Sequence, residues 1–163
     1  MENLNFPHLT DLYLHRNGIR VIENLQCPRL RKLWLTQNHI SSITGLQNVP
    51  ELQELWLHSN NIRSTQGIEC CTQLVHLGIA GNPISDFSEL NALAGLTSLQ
   101  QLTCSDIHFG RCPIVEDDGY ATFLRTHLPQ LRVIDSVKVT SSDSDMYQLM
   151  NLEVHLKLCA SNT

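Results

Sequence analysis

The sequence predicts an α/β fold: a right-handed solenoid with short parallel strands on a concave face and helical turns on a convex face. Three observations predict it. One phrase recurs four times, as LTDLYLHRNGI from Leu9, LRKLWLTQNHI from Leu30, LQELWLHSNNI from Leu52 and LVHLGIAGNPI from Leu74, at spacings of 21, 22 and 22 residues. Inside each phrase apolar residues alternate with polar or aromatic ones, the period of a strand. A unit this short cannot bury its apolar face alone, so successive units must stack into one continuous core.

Alternation places Leu12 and Leu14, Leu33 and Leu35, Leu55 and Leu57, and Leu77 and Ile79 inward. The asparagines Asn17, Asn38, Asn60 and Asn82 follow, where the chain leaves the sheet and a short amide can hydrogen-bond the backbone groups exposed by the turn. Apolar positions beyond them, such as Ile19, Ile22 and Leu25, then Ile40, Ile43 and Leu46, then Ile62 and Ile68, form the return path, each predicted as a helical turn. The fourth unit is longer, with 25 residues from Leu74 to Leu99, and its SDFSELNALAGL should hold a short helix capped by Ser85 or Asp86. A fifth phrase, LQQLTCSDI from Leu99, puts Ile107 where asparagine is expected, so the ladder ends there. An insert with Pro113 follows, then a helix with Tyr120, Phe123, Leu124 and Leu128 on one face, stopped by Pro129, and LPQLRVIDSVKV as one further strand.

These phrases resemble the 22-residue class of leucine-rich repeats, shared by a regulatory subunit of protein phosphatase 1, the axonemal dynein light chain and several ciliary proteins. The resemblance spans about Glu2 to Val139, and the stretch from Tyr120 through HLPQLRVID to Asp135 looks like that family's C-terminal capping motif. It implies a leucine-rich repeat solenoid acting as a non-catalytic protein-interaction scaffold, with assembly in a cilium, axoneme or microtubule-associated structure as the leading setting. A regulatory subunit holding a protein phosphatase 1-type enzyme is a second implied role. A ribonucleoprotein scaffold, like the family's spliceosomal member, is a third.

Residues 1–139 are expected to form the array with its closing piece at 113–139, and residues 140–163 a tail. In the tail Met146, Leu149, Leu152 and Leu156 fall at helical spacing, while Leu152, Val154, Leu156 and Leu158 alternate; length and composition favour the helix. At the front, ENLNFPHL at 2–9 matches ENLQCPRL at 23–30 at five of eight positions, so the chain opens in the second half of a repeat. The apolar edge of repeat one is therefore expected to meet either further repeats of a longer array or a partner.

Composition narrows the function. Eleven Lys and Arg against 16 Asp and Glu give a net charge of −5, with no basic run, so neither nucleic acid nor an anionic membrane is an expected partner. No signal-peptide pattern opens the chain and no apolar stretch approaches ~20 residues, which predicts a cytoplasmic protein. Of six cysteines, Cys27 and Cys70 are read as equivalent positions in repeats one and three and Cys104 as a core leucine's replacement, all small buried apolar groups rather than disulfide partners or zinc ligands. His15, His58 and His76 lie too far apart along the strands to close on a metal, and no catalytic motif occurs, so neither cofactor, metal nor enzyme activity is expected.

A binding surface is read from rows across the concave face. Tyr13, Trp34, Trp56, Gly78 and Thr103 occupy one row, with both tryptophans adjacent and facing solvent beside a glycine hollow. Stacking that merely stiffens the sheet is the alternative role. Asp11, Lys32, Glu54 and His76 form a row of ion pairs, while Arg16 and Arg31 stand off it, free for an acidic partner. His15, Thr36, His58 and Ala80 form a third row, and with Gly78 and Gly81 make repeat four a flat floor where an inserted side chain or loop would fit. The candidate protein-binding residues are Tyr13, His15, Arg16, Arg31, Trp34, Gln37, Trp56, His58, His76 and Gly78.

Overall fold

Only three residues of each phrase can stay extended before the asparagine draws the chain inward, and the computed structural model, which describes residues 4–139, shows the resulting short strands. In chain order they are β1 (Leu4–Asn5), β2 (Asp11–Tyr13), β3 (Leu25–Gln26), β4 (Lys32–Trp34), β5 (Glu54–Trp56), β6 (His76–Gly78), β7 (Gln101–Thr103), β8 (Ser105–Asp106), β9 (Gly110–Arg111), β10 (Val133–Ile134) and β11 (Val137–Lys138). The helical pieces are two 3-10 helices, Phe87–Gly95 and Pro113–Glu116, and one α-helix, α1 (Tyr120–His127). The main sheet runs β11-β10-β7-β6-β5-β4-β2, parallel from β2 through to β10 and antiparallel at β11. The chain is a parallel-strand solenoid of about five turns. The tail reading for 140–163 falls outside the described residues.

Register follows the phrase. Leu12, Leu33, Leu55, Leu77 and Leu102 pair in sequence, and all but the half-buried Leu12 are buried. Stacking at ~4.8 Å turns one leucine per turn into a continuous apolar column. Beside it runs the asparagine ladder. The Asn38 Oδ1 accepts the N–H groups of Asn17 and Ile19, both at 3.0 Å, and its Nδ2 donates to the carbonyls of Leu14 (2.9 Å) and Leu35 (2.8 Å). Asn60 and Asn82 repeat the pattern one and two turns on, so each amide supplies partners to backbone groups that would otherwise be buried unpaired. Asn17 is exposed, and its side-chain amide donates to the His15 carbonyl. The residue before each ladder asparagine is left-handed, with φ of 58° at Arg16, 57° at Gln37, 51° at Ser59 and 69° at Gly81. Three of these four carry side chains, so composition does not announce the turn.

Several local expectations are corrected. The return paths of the first three repeats are turns without helix, because β-branched residues such as Ile19, Val21, Ile22, Ile40 and Ile43 and the positive-φ Gly45 and Gly67 leave no run long enough to nucleate one. Repeat four does hold a helix, of 3-10 type, and Asp86 caps it: its carboxylate accepts Ser88 N–H at 2.7 Å while Glu89 reaches back to the Asp86 N–H at 3.0 Å. LPQLRVIDSVKV forms two strands, not one, because Asp135 and Ser136 take positive φ and reverse the chain. Cys71, not Cys70, matches Cys27: each stands three residues before its repeat's leading leucine and is buried, whereas Cys70 is exposed. At the front, β1 pairs parallel with β3, Leu4 opposite Leu25 and Asn5 opposite Gln26, the register of the repeated ENL.

The ladder does not stop where its asparagine is missing. The chain leaves at Ser105, makes the β8–β9 hairpin and returns at Cys112, whose thiol donates to the Ile79 carbonyl at 3.2 Å, the next carbonyl of the ladder, and faces the N–H groups of Asn82 and Ile84. Beyond it, Asp135 accepts the N–H groups of Cys104 and Ser105, both at 2.7 Å, and the Tyr120 hydroxyl at 2.9 Å. Helix α1 packs Tyr120, Ala121 and Leu124 under this end, and the Phe123 ring stacks on Phe87 at 4.8 Å.

Candidate functional site

The aromatic row is built as its register demands, with Tyr13, Trp34, Trp56, Gly78 and Thr103 paired in order. Their rings lean on one another rather than stand free. Centroids lie 5.5 Å apart from Tyr13 to Trp34 and 5.2 Å from Trp34 to Trp56, at tilts of 39° and 34°. Tyr13 is 55% exposed, while both tryptophans are half-buried, because each is shielded by its neighbours' rings. The Trp56 Nε1–H points to Glu54 at 3.4 Å. The Trp34 Nε1–H is shielded from solvent and meets no acceptor.

The row continues where the sequence showed a hollow. Trp56 leans on His58 at 5.5 Å, and His58 lies parallel to Phe109 at 4.9 Å and 5°. Tyr13, Trp34, Trp56, His58 and Phe109 therefore form one chain of five rings across the face. Glycine at two positions permits it. A Cβ on Gly78 would stand 2.5 Å from the His58 ring and 2.6 Å from Trp56; one on Gly81, already at φ +69°, would stand 2.1 Å from the Phe109 carbonyl. The floor of repeat four is thus covered by the chain's own hairpin, and Ser59 Oγ bonds the Phe109 carbonyl at 3.2 Å. Phe109 lies outside every repeated phrase, and no sequence signal joins it to His58.

His58 is consequently buried, at 3% exposure, and does not face solvent. The Ala80 N–H donates to its Nδ1 at 3.0 Å, which leaves the proton of the neutral ring on Nε2. Burial pushes its pKa down to about 4, against the pull of Asp106 on the hairpin. Gly78 is buried too, whereas His15 is exposed and His76 half-buried at the margins of the face.

The charged rows are less free than the sequence suggested. Lys32 and Glu54 pair at 3.0 Å, and Glu54 holds the Lys32 ammonium above its ordinary pKa. Arg16 is held through its Nε by the Gln37 amide oxygen at 2.5 Å, which gives Gln37 its role, and Arg31 pairs with Glu51 at 3.8 Å. Both arginines keep their charge at the rim, but neither is unpartnered. Among the described residues no three His, Cys, Asp or Glu side chains converge on a metal-sized site. What the face offers is shape and apolar area: three half-exposed rings between the left-handed corner of Arg16 and Gln37 on one side and the Phe109 hairpin at the far end.

The sequence matches the family described as Leucine Rich repeats (2 copies) at residues 7–48 and 50–92. No curated protein matches it by sequence. Among solved structures, the Drosophila melanogaster SNF/U2A' complex shares the fold at a TM-score of 0.71 and 24% identity, over 90% of this chain and 87% of that one. The functional domain of InlJ from Listeria monocytogenes gives 0.57 and 24%, over 83% of this chain and 27% of that one. Internalin C2 from the same organism gives 0.54 and 23%, over 77% of this chain and half (50%) of that one. At these identities the likeness is one of fold.

Proposed function

Because the chain belongs to the leucine-rich repeat family, we propose that it is a non-catalytic scaffold whose concave face grips a protein partner on the Tyr13–Trp34–Trp56 strip. One observation carries this reading: Tyr13, 55% exposed, and the half-buried Trp34 and Trp56 beside it form one aromatic strip at the surface of the concave face. Aromatic side chains of this kind contribute much of the energy of protein interfaces. Arg16 and Arg31 at the rim, already oriented by Gln37 and Glu51, would steer an acidic segment onto the rings.

The setting we favour is cytoplasmic, in a ciliary, axonemal or cytoskeletal assembly, with a protein phosphatase 1-type enzyme as the alternative partner. One solved neighbour of similar length lies in the SNF/U2A' complex, so a repeat array of this size has been crystallised inside a complex. A ribonucleoprotein scaffold, in which the contact is made to protein, is a further reading. Capture from ciliated-cell extract, with bound proteins identified by mass, separates the three. Dynein or tubulin chains support the first, phosphatase activity the second and ribonucleoprotein components the third. In each case the Trp34→Ala, Trp56→Ala double variant should lose the partner; retention at wild-type strength would remove the concave-face proposal.

A further inference from the structure

The β8–β9 hairpin differs from the rest of the face in how it is held. None of residues 105–111 is buried, although Leu102, Thr103 and Cys104 before it and Cys112 after it are. Its base is fixed: Ser105 N–H donates to Asp135, Arg111 pairs with Glu116 at 3.4 Å, and Cys112 N–H donates to the Cys104 carbonyl at 2.8 Å. Its turn is internally satisfied, since the Asp106 carboxylate accepts the N–H groups of His108 (2.8 Å) and Phe109 (3.2 Å). Among the described residues the tip meets the body through the Phe109 ring on His58 and the Phe109 carbonyl, which bonds Ser59 Oγ and lies against Gly81, with the Asp106 charge also facing His58. Beneath the tip lies a finished surface: the His58 ring, with its Nδ1 already bonded to Ala80, and the small floor of Gly78, Ala80 and Gly81. Ladder bonds run through Cys112 to Ile79 and leave the tip out.

Resting on the concave-face reading, we propose that the 105–111 hairpin is a displaceable cover, and that the seat under Phe109 takes an aromatic residue of the partner at the end of the ring ladder. Phe109 shows what the seat accepts. A flat ring lies on the imidazole, and the backbone carbonyl of the same residue meets the Ser59 hydroxyl. A partner phenylalanine or tyrosine in extended backbone presents the same two groups. Lifting the tip breaks no bond of the sheet or ladder, and Ile107, 83% exposed at the turn, moves with it at no loss of burial. Binding therefore exchanges one aromatic contact for another while extending the buried strip from Tyr13 to His58.

The test needs no partner. Photosensitised singlet oxygen adds across the face of a neutral imidazole only when that face is reachable, and peptide mapping reads oxidised His58 separately from the exposed His15. In the full-length protein, the cover predicts that His58 reacts at a rate insensitive to low urea, the mark of local opening, and about tenfold or more faster in Phe109→Ala. N-acetyl-phenylalaninamide should then protect His58 saturably in Phe109→Ala, while N-acetyl-leucinamide should not. Ile107→Ser is the control and should react as the wild type does. The proposal is overturned if wild-type His58 reacts only along the urea dependence of global unfolding, or if the phenylalanine amide gives Phe109→Ala no protection. Far-UV circular dichroism confirms that the variant folds, and the wild-type arm stands without it. The concave-face reading can fail in the capture experiment without altering these results, and they can fail without altering it.

Discussion

His58 connects the face to the pH dependence of the fold. Its pKa falls from 6.5 in the unfolded chain to about 4 in the native one, so the unfolded state binds the proton first as pH drops. Its contribution is complete above pH 6.5 and is lost as pH falls toward 4, a swing of at most about 3 kcal/mol for a group this buried. Asp135 acts in the opposite sense. Burial pushes its carboxyl up to about 6 against three hydrogen-bond donors, so it favours the native state below pH 3.8 and that favour is lost as pH rises through 6. The two terms offset each other in wild type. In His58→Gln, which keeps an acceptor for Ala80, stability relative to wild type should climb between pH 7 and pH 4.5 in urea titrations. A gap constant across that range would mean that His58 is not buried in solution.

The asparagines make a second claim about single side chains. Removing the Asn60 amide strands the Ile40 N–H in the interior and leaves the Leu35 and Leu57 carbonyls with one ladder donor each, from Asn38 and Asn82, so Asn60→Ala should cost about 2–3 kcal/mol. Asn17→Ala, at the exposed end with one local bond, should cost well under half of that; equal losses in thermal unfolding would contradict the ladder. Both residues were legible in the sequence, because the phrase repeats them. His58 was legible as a row member and illegible as a buried residue. What buries it is Phe109, 51 positions on and outside the repeat, and only the fold brings the two together.

Among the elements, the strands were readable and the connections only in part. A strand needs little more than alternation and a stacked neighbour, and every repeat supplies both. The outer paths carry the same apolar letters whether they turn or coil, and β-branched residues with glycine at positive φ decide for turns. Repeat four escapes this because its longer segment carries a capping box. Asp86→Ala should lower the melting temperature, with Asp86→Asn recovering most of the loss. Ser88 holds the Asp86 carboxyl below its ordinary pKa, so the contribution is present above the unfolded value of 3.8 and fades as pH falls through the native one. An Ala variant as stable as wild type at neutral pH would show that the cap is idle. The β8–β9 hairpin was the least legible element: Ile107 signalled a broken ladder, but not that Cys112 rejoins it or that the detour covers the floor of repeat four.

The whole molecule is a row of near-identical turns whose constant letters fold it and whose variable letters lie on one face. Phosphate-binding and nucleophilic motifs are missing from the sequence, and the described residues gather no metal-sized site. The variable letters instead gather apolar rings with charged groups at their rim. Both tryptophans of the chain, Trp34 and Trp56, stand in that strip. This gives a direct readout. Protein labelled with 5-fluorotryptophan should show two fluorine resonances, one per ring, with an unlabelled partner silent. At saturation with the captured partner both resonances should shift or broaden as the strip is covered. If the complex forms while both stay at their free positions, the partner sits elsewhere and the concave-face account is wrong.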